Sequence, residues 1–149
     1  VIGGAAGYVV SAVVNVFQGI NTNMYIKCGD FYAEGKHALV CVCNGRYYGG
    51  GFNPSLTARP DDGELDFFIT RRVSLPVLAV LIGKYAKGRA DELSQYITHL
   101  KGTEIEIGFD EDNVVNIDGE ALYAKRVRIR LVPGAANLIV PKGMKFFNA

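Results

Sequence analysis

The sequence predicts a mainly β domain, a β-sandwich or barrel-like body with two or three short helices attached. Three observations carry that reading. The last third consists of short apolar stretches, 103–109, 114–117, 126–131 and 138–140, separated by Asp112-Asn113, Asp118-Gly119 and Pro133-Gly134. Residues 38–43 (ALVCVC) form a continuous apolar run of strand length, the pattern of a strand covered on both faces. Helical signals are confined to three places, near the start, around residues 75–86 and over 90–97.

In chain order, residues 1–26 carry no charge. Val9, Val10, Val13, Val14 and Phe17 recur at helical spacing while Ser11, Asn15 and Gln18 fall opposite, which predicts an amphipathic helix on the core rather than a membrane span. The chain starts at Val1 with no basic segment, so secretion is not expected, and the glycine-rich opening reads as a cut after a preceding domain. Met24, Ile26 and Cys28 share a strand face, Gly29-Asp30 makes a hairpin turn, and a second strand runs over 31–33. Glu34-Gly35-Lys36 is expected to turn again before the 38–43 strand. Residues 67–70 predict another strand. Ser74 is a candidate N-cap with Pro76 in the first turn of a short helix marked by Leu75, Leu78, Ala79 and Ile82 and running to about Ala86, and a second helical piece is expected over 90–97.

Length and composition bound the function. At 149 residues the chain fits one domain able to hide about two thirds of its unfolded surface. Sixteen basic against fifteen acidic residues exclude a dedicated nucleic-acid surface. The alternation of Arg126, Arg128 and Arg130 reads first as a solvated edge face and second as a contact for an anionic partner. Cys28, Cys41 and Cys43 have no metal-site spacing and read as small buried hydrophobes in a reducing compartment, and His37 and His99 as surface or packing residues.

Three constellations could hold chemistry. Asp61-Asp62-Gly63-Glu64-Leu65-Asp66 crowds carboxylates onto a glycine turn, where a hard cation, hydrogen bonds or water must relieve their repulsion. Asp118-Gly119-Glu120 throws two carboxylates off the end of a strand, which suits a hairpin turn first and a general base second. Gly49-Gly50-Gly51 has neither a following helix nor a Lys-Ser/Thr pair, so it reads as close chain packing rather than a phosphate cradle.

Taken in order, NGRYYGGGFNPS, DDGELD, an apolar helix and NIDGE resemble the C-terminal half of bacterial diacylglycerol kinase-like lipid kinases, and more distantly that of sphingosine and ceramide kinases. The resemblance implies a β-sandwich of the NAD kinase type facing a nucleotide-binding domain, and an ATP-dependent transfer of the γ-phosphoryl group to diacylglycerol or a related lipid alcohol. It implies Asp62, with backbone carbonyls of Pro60 and Glu64, as organiser of a Mg²⁺ and water network. Asp118 becomes the group that deprotonates the lipid hydroxyl, with Glu120 in the same network. The GGDGT signature that binds ATP phosphates in this family is not in the sequence, so the chain by itself is expected to be inactive. The expected setting is cytoplasmic, with peripheral contact at the inner membrane face and a homodimer formed through apolar surface left bare by the partner domain. A non-catalytic lipid-binding module and an NAD kinase-like enzyme are the rival readings.

Overall fold

A computed structural model describes residues 20–47, 53–85, 87, 89, 91–137 and 139. Within these, the chain makes strands β1 (Thr22–Cys28), β2 (Phe31–Cys43) and β3 (Leu65–Arg71), helix α1 (Leu75–Tyr85), a single 3-10 turn (Asp91–Leu93), then β4 (Ile97–Gly102), β5 (Glu104–Ile117) and β6 (Glu120–Arg130). All six strands join one antiparallel sheet in the order β4-β3-β2-β1-β5-β6. The domain is mainly β, as the strand spacing predicts. The expected N-terminal helix and the Gly49-Gly50-Gly51 run lie outside the described residues.

The sheet cannot be flat. β4 and β5 stand first and fifth in the ladder, about 19 Å apart if strands were laid side by side, yet only Thr103 separates them in the chain. Two residue steps span at most about 7 Å. The sheet must therefore roll until β4 approaches β1 and β5, and a Cβ added at Gly102 of β4 would meet Phe67 at 3.2 Å and Cys28 Sγ at 3.4 Å. Rolling brings one face of three strands together as the core: Met24, Ile26 and Cys28 from β1, Leu65, Phe67 and Ile69 from β3, Ile105 and Ile107 from β5. Ile26, Phe67, Ile69 and Ile105 are fully buried, each worth about 1.5–3 kcal/mol of hydrophobic burial.

The other face of β3 holds a second cluster in which Phe68, Cys43 and Ile97 meet Val73, Leu81 and Leu93. Helix α1 closes it. Ser74 accepts the first helical hydrogen bond, from Leu78 N at 2.9 Å, in the N-cap position read from the sequence. Val77, Leu78 and Leu81 of the helix face the cluster, whereas Leu75 and Ile82 are exposed. Asn21 ties the entry of β1 to the same layer, its amide donating to Val73 O at 2.9 Å and accepting from Val73 N at 3.0 Å.

Four local expectations are corrected. The Glu34-Gly35-Lys36 turn does not form, because β1 offers a partner to every residue there and the ladder runs through Met24↔Gly35 without a break. The 38–43 run is not covered on both faces, since Leu39 is 43% exposed beside a half-buried Val40. Asp112-Asn113 does not end a strand; β5 continues, and the register against β6 slips between Gly108 and Asn113, leaving the acidic stretch as a bulge. Of the expected 90–97 piece, the described residues 91–97 give one 3-10 turn instead of a helix, and Ile97 already belongs to β4.

Candidate functional site

The loop that enters β3 is held from below. Pro54, Ser55 and Ala58 are buried, and Ser55 Oγ accepts from Ala58 N at 2.9 Å. Arg59 then donates twice to Asp61, both bonds at 3.1 Å, and these bonds hold the Asp61 carboxyl below the usual carboxylate range. Arg59 thereby takes one carboxylate out of the crowd. Gly63 supplies the left-handed step of the turn at φ 78°, and Asp62 Oδ1 accepts from Glu64 N at 3.0 Å.

The remaining three carboxylates share one cation. Lys101 of β4 places its ammonium 3.5 Å from Asp62 Oδ2, 3.7 Å from Glu64 Oε2 and 3.9 Å from Asp66 Oδ2. The sheet register explains the meeting, since Asp66 pairs directly with Lys101 across β3 and β4. Asp66 is 1% exposed, a carboxylate in a strand otherwise built of buried apolar residues. Such a charge persists only where partners meet it. His99 supplies one, with Nε2 at 2.6 Å from Asp66 Oδ1, and its ring lies flat on Phe68 at a centroid distance of 4.4 Å.

His99 and Lys101 are the site residues that sequence reasoning missed, and Asp66, read there only as one of the crowded carboxylates, proves to be their buried partner. The available signal was a lone Asp inside the apolar run LDFFIT, together with His99 and Lys101 at the two-residue spacing that puts both on one strand face. On the far side of Asp66, Cys43 is its ladder partner on β2, and burial, the largest cause, pushes that thiol up to about 12.

Among the described residues no three His, Cys, Asp or Glu side chains converge closely enough to cage a metal by themselves. The donor set around Asp62 is nonetheless hard oxygen, and Asp66 Oδ2 is buried with no hydrogen bond among the described residues. Such residues fit a Mg²⁺ ion that keeps most of its water.

Asp118 and Glu120 lie elsewhere. They form the tip of the β5–β6 hairpin, where Asp118 at φ 49° and Gly119 at φ 103° make the two left-handed steps of a tight turn and Asn116 Oδ1 accepts from Gly119 N at 3.0 Å. Both are exposed, and no hydrogen bond or ion pair among the described residues joins them to Pro60, Asp62 or Glu64. Along β5 the tip is about 45 Å of extended strand from Glu104, less whatever the bulge removes. The basic stripe of β6 is partly neutralised: Arg128 binds Glu104 at 2.7 Å, and Glu104 and Glu106 stand opposite Arg130 and Arg128. That favours the solvated edge face over a dedicated anion contact.

Comparison with known proteins gives a consistent group. Residues 1–140 match the family model described as the YegS C-terminal NAD kinase beta sandwich-like domain. A protein of Staphylococcus aureus (strain JH9), named as a candidate lipid kinase, is 28% identical over 136 residues, covering 91% of this chain and 45% of that relative. A crystal structure of a candidate diacylglycerol kinase from Bacillus anthracis str. Sterne superposes with a TM-score of 0.69 at 30% identity, over 88% of this chain and 45% of that one. A second from the same source gives a TM-score of 0.60 at 27% identity, over 88% and 43% of the two chains. The chain thus spans about half the length of the relatives it matches.

Proposed function

Because the chain belongs to the YegS C-terminal NAD kinase beta sandwich-like domain family, we propose that it is the lipid-acceptor half of an ATP-dependent lipid kinase of the diacylglycerol kinase type. Its relatives are named as lipid and diacylglycerol kinases, and the Asp62 and Asp118 motifs both lie among the described residues. The observation that carries the reading is the Asp62 turn, where a hydrogen-bonded Asp-Gly-Glu loop rests on a buried Asp66 and gathers three carboxylates into one electrostatic focus.

In this reading Asp62 and the carbonyls of Pro60 and Glu64 would hold Mg²⁺, which would supply positive charge to organise this turn and its water. Phosphoryl transfer demands alignment and charge neutralisation more than strong basicity. Asp118 takes the proton of the lipid hydroxyl late, as the new bond to phosphorus forms, and Glu120 supports the same hydrogen-bond network. Both are exposed on a narrow hairpin, a location that suits reaching a substrate presented by another surface. ATP phosphates are bound by the portion of the full-length relatives that this chain does not span. No helix among the described residues is long and apolar enough to cross a membrane; in this reading lipid is met through peripheral contact.

The test is to incubate the full-length protein with radiolabelled ATP and either diacylglycerol or NAD, in the presence of Mg²⁺. Label in the lipid phosphate is the expected outcome. Label in a dinucleotide product moves the protein to the NAD kinase reading, and label in neither leaves the non-catalytic lipid-binding module.

A further inference from the structure

Lys101 places its ammonium among the carboxylates of the Asp62 turn. Its ammonium lies between 3.5 and 3.9 Å from oxygens of Asp62, Glu64 and Asp66, longer in every case than the 2.7–2.9 Å of a charge-assisted hydrogen bond. It is therefore centred among three carboxylates without docking on any one. That is the placement of a counter-ion, not of a structural ion pair such as Arg128 with Glu104, which closes to 2.7 Å.

The surroundings make the position exchangeable. Asp62 is fixed through its other oxygen by Glu64 N, and Asp66 by His99, so both carboxylates keep their places if the ammonium leaves. Lys101 sits on the edge strand β4 with 36% of its side chain exposed, and its four-carbon stem can carry the charge out to solvent. An ammonium and a divalent ion cannot share this focus, because at such distances their repulsion is substantial even near a surface.

Resting on the reading that the Asp62 turn takes Mg²⁺, we propose that Lys101 is a tethered counter-ion that neutralises these carboxylates in the metal-free state and is displaced when the divalent ion binds. Metal uptake at this turn is a cation exchange within the protein. Lys101 consequently lowers the affinity for Mg²⁺, and it keeps the buried Asp66 compensated while the metal is away.

The test is calorimetric titration of Mg²⁺ into the full-length protein without nucleotide, for the wild type and for Lys101→Met and Lys101→Arg. Lys101→Met is expected to bind about tenfold or more tightly, while Lys101→Arg stays within a few-fold of wild type. Equal or weaker binding by folded Lys101→Met overturns the exchange but leaves the metal site standing. Failure of both wild type and Lys101→Met to take up Mg²⁺ overturns the metal reading itself and the exchange with it. Should Lys101→Met not fold, acetic anhydride labelling of the wild type, read by mass spectrometry, decides the matter: Lys101 becomes more reactive as Mg²⁺ is added, and unchanged labelling overturns the proposal.

Discussion

The tripeptide Asp-Gly-Glu occurs twice in this chain, at 62–64 and at 118–120, and the two copies have different surroundings. At the first, only Gly63 takes a left-handed step, the Asp62 side chain turns back onto Glu64 N, and Lys101, Asp66 and His99 stand behind it. At the second, Asp118 itself is left-handed together with Gly119, and the carboxylates point off a two-stranded ribbon with no ion pair among the described residues. The backbone difference follows from what each turn joins. A loop entering a strand leaves room for an Asx-type bend, whereas two strands in register require consecutive positive φ values. The electrostatic difference follows from neighbours: identical residues become a shared-charge cluster in one place and solvated acids in the other.

Mutations sharpen that contrast, and the largest effect is expected at the bare turn. In the full-length protein, Asp118→Asn should lower phosphoryl transfer to lipid by about 10²–10⁴-fold with an unchanged circular dichroism spectrum. Near-normal turnover would remove Asp118 from the role of base. The next effect belongs to the supported turn and concerns stability. Replacing His99 by Leu keeps the stacking surface over Phe68 but strips Asp66 of its 2.6 Å partner, and urea unfolding should show a loss of about 1–3 kcal/mol, whereas Glu120→Gln should stay within about 0.5 kcal/mol of wild type.

The smallest effect is a pH dependence. Arg59 depresses the folded-state pKa of Asp61, so the stabilisation is complete above the unfolded carboxylate pKa and is lost as pH falls through the folded one. A carboxyl titration followed by NMR should place Asp61 below its ordinary value, and Arg59→Gln should raise it towards that value. An Asp61 midpoint that ignores the substitution would show that Arg59 does not hold it.

Much of the scaffold was legible in the residues themselves. Gly29-Asp30 and Asp118-Gly119 announce hairpins that form where expected, and Ser74 marks the start of α1. What escaped was set by partners distant in sequence. Gly35 looks like a turn until β1 supplies an opposite residue, and β4 looks like a helix end because, as an edge strand, it needs no clean apolar alternation. The Asp66, His99 and Lys101 group is created by β3–β4 pairing across more than thirty residues, so no local window contains it. The Asp62 and Asp118 motifs were visible as residues, but their separation along β5 was not, because spacing in sequence carries no information about which end of a long strand meets the cluster.

The single-residue join at Thr103 also bears on how the domain assembles in time. β4 docks onto β3, and β5 onto β1, so the two strands flanking Thr103 are committed to opposite ends of an already formed β3-β2-β1 run. Closure of the roll is therefore expected to rest on contacts between distant residues, which form slowly. Lengthening this join by a few glycines would relax that coupling and let the two ends dock independently. The natural chain, with one residue there, binds the order of folding to the curvature of the finished sheet.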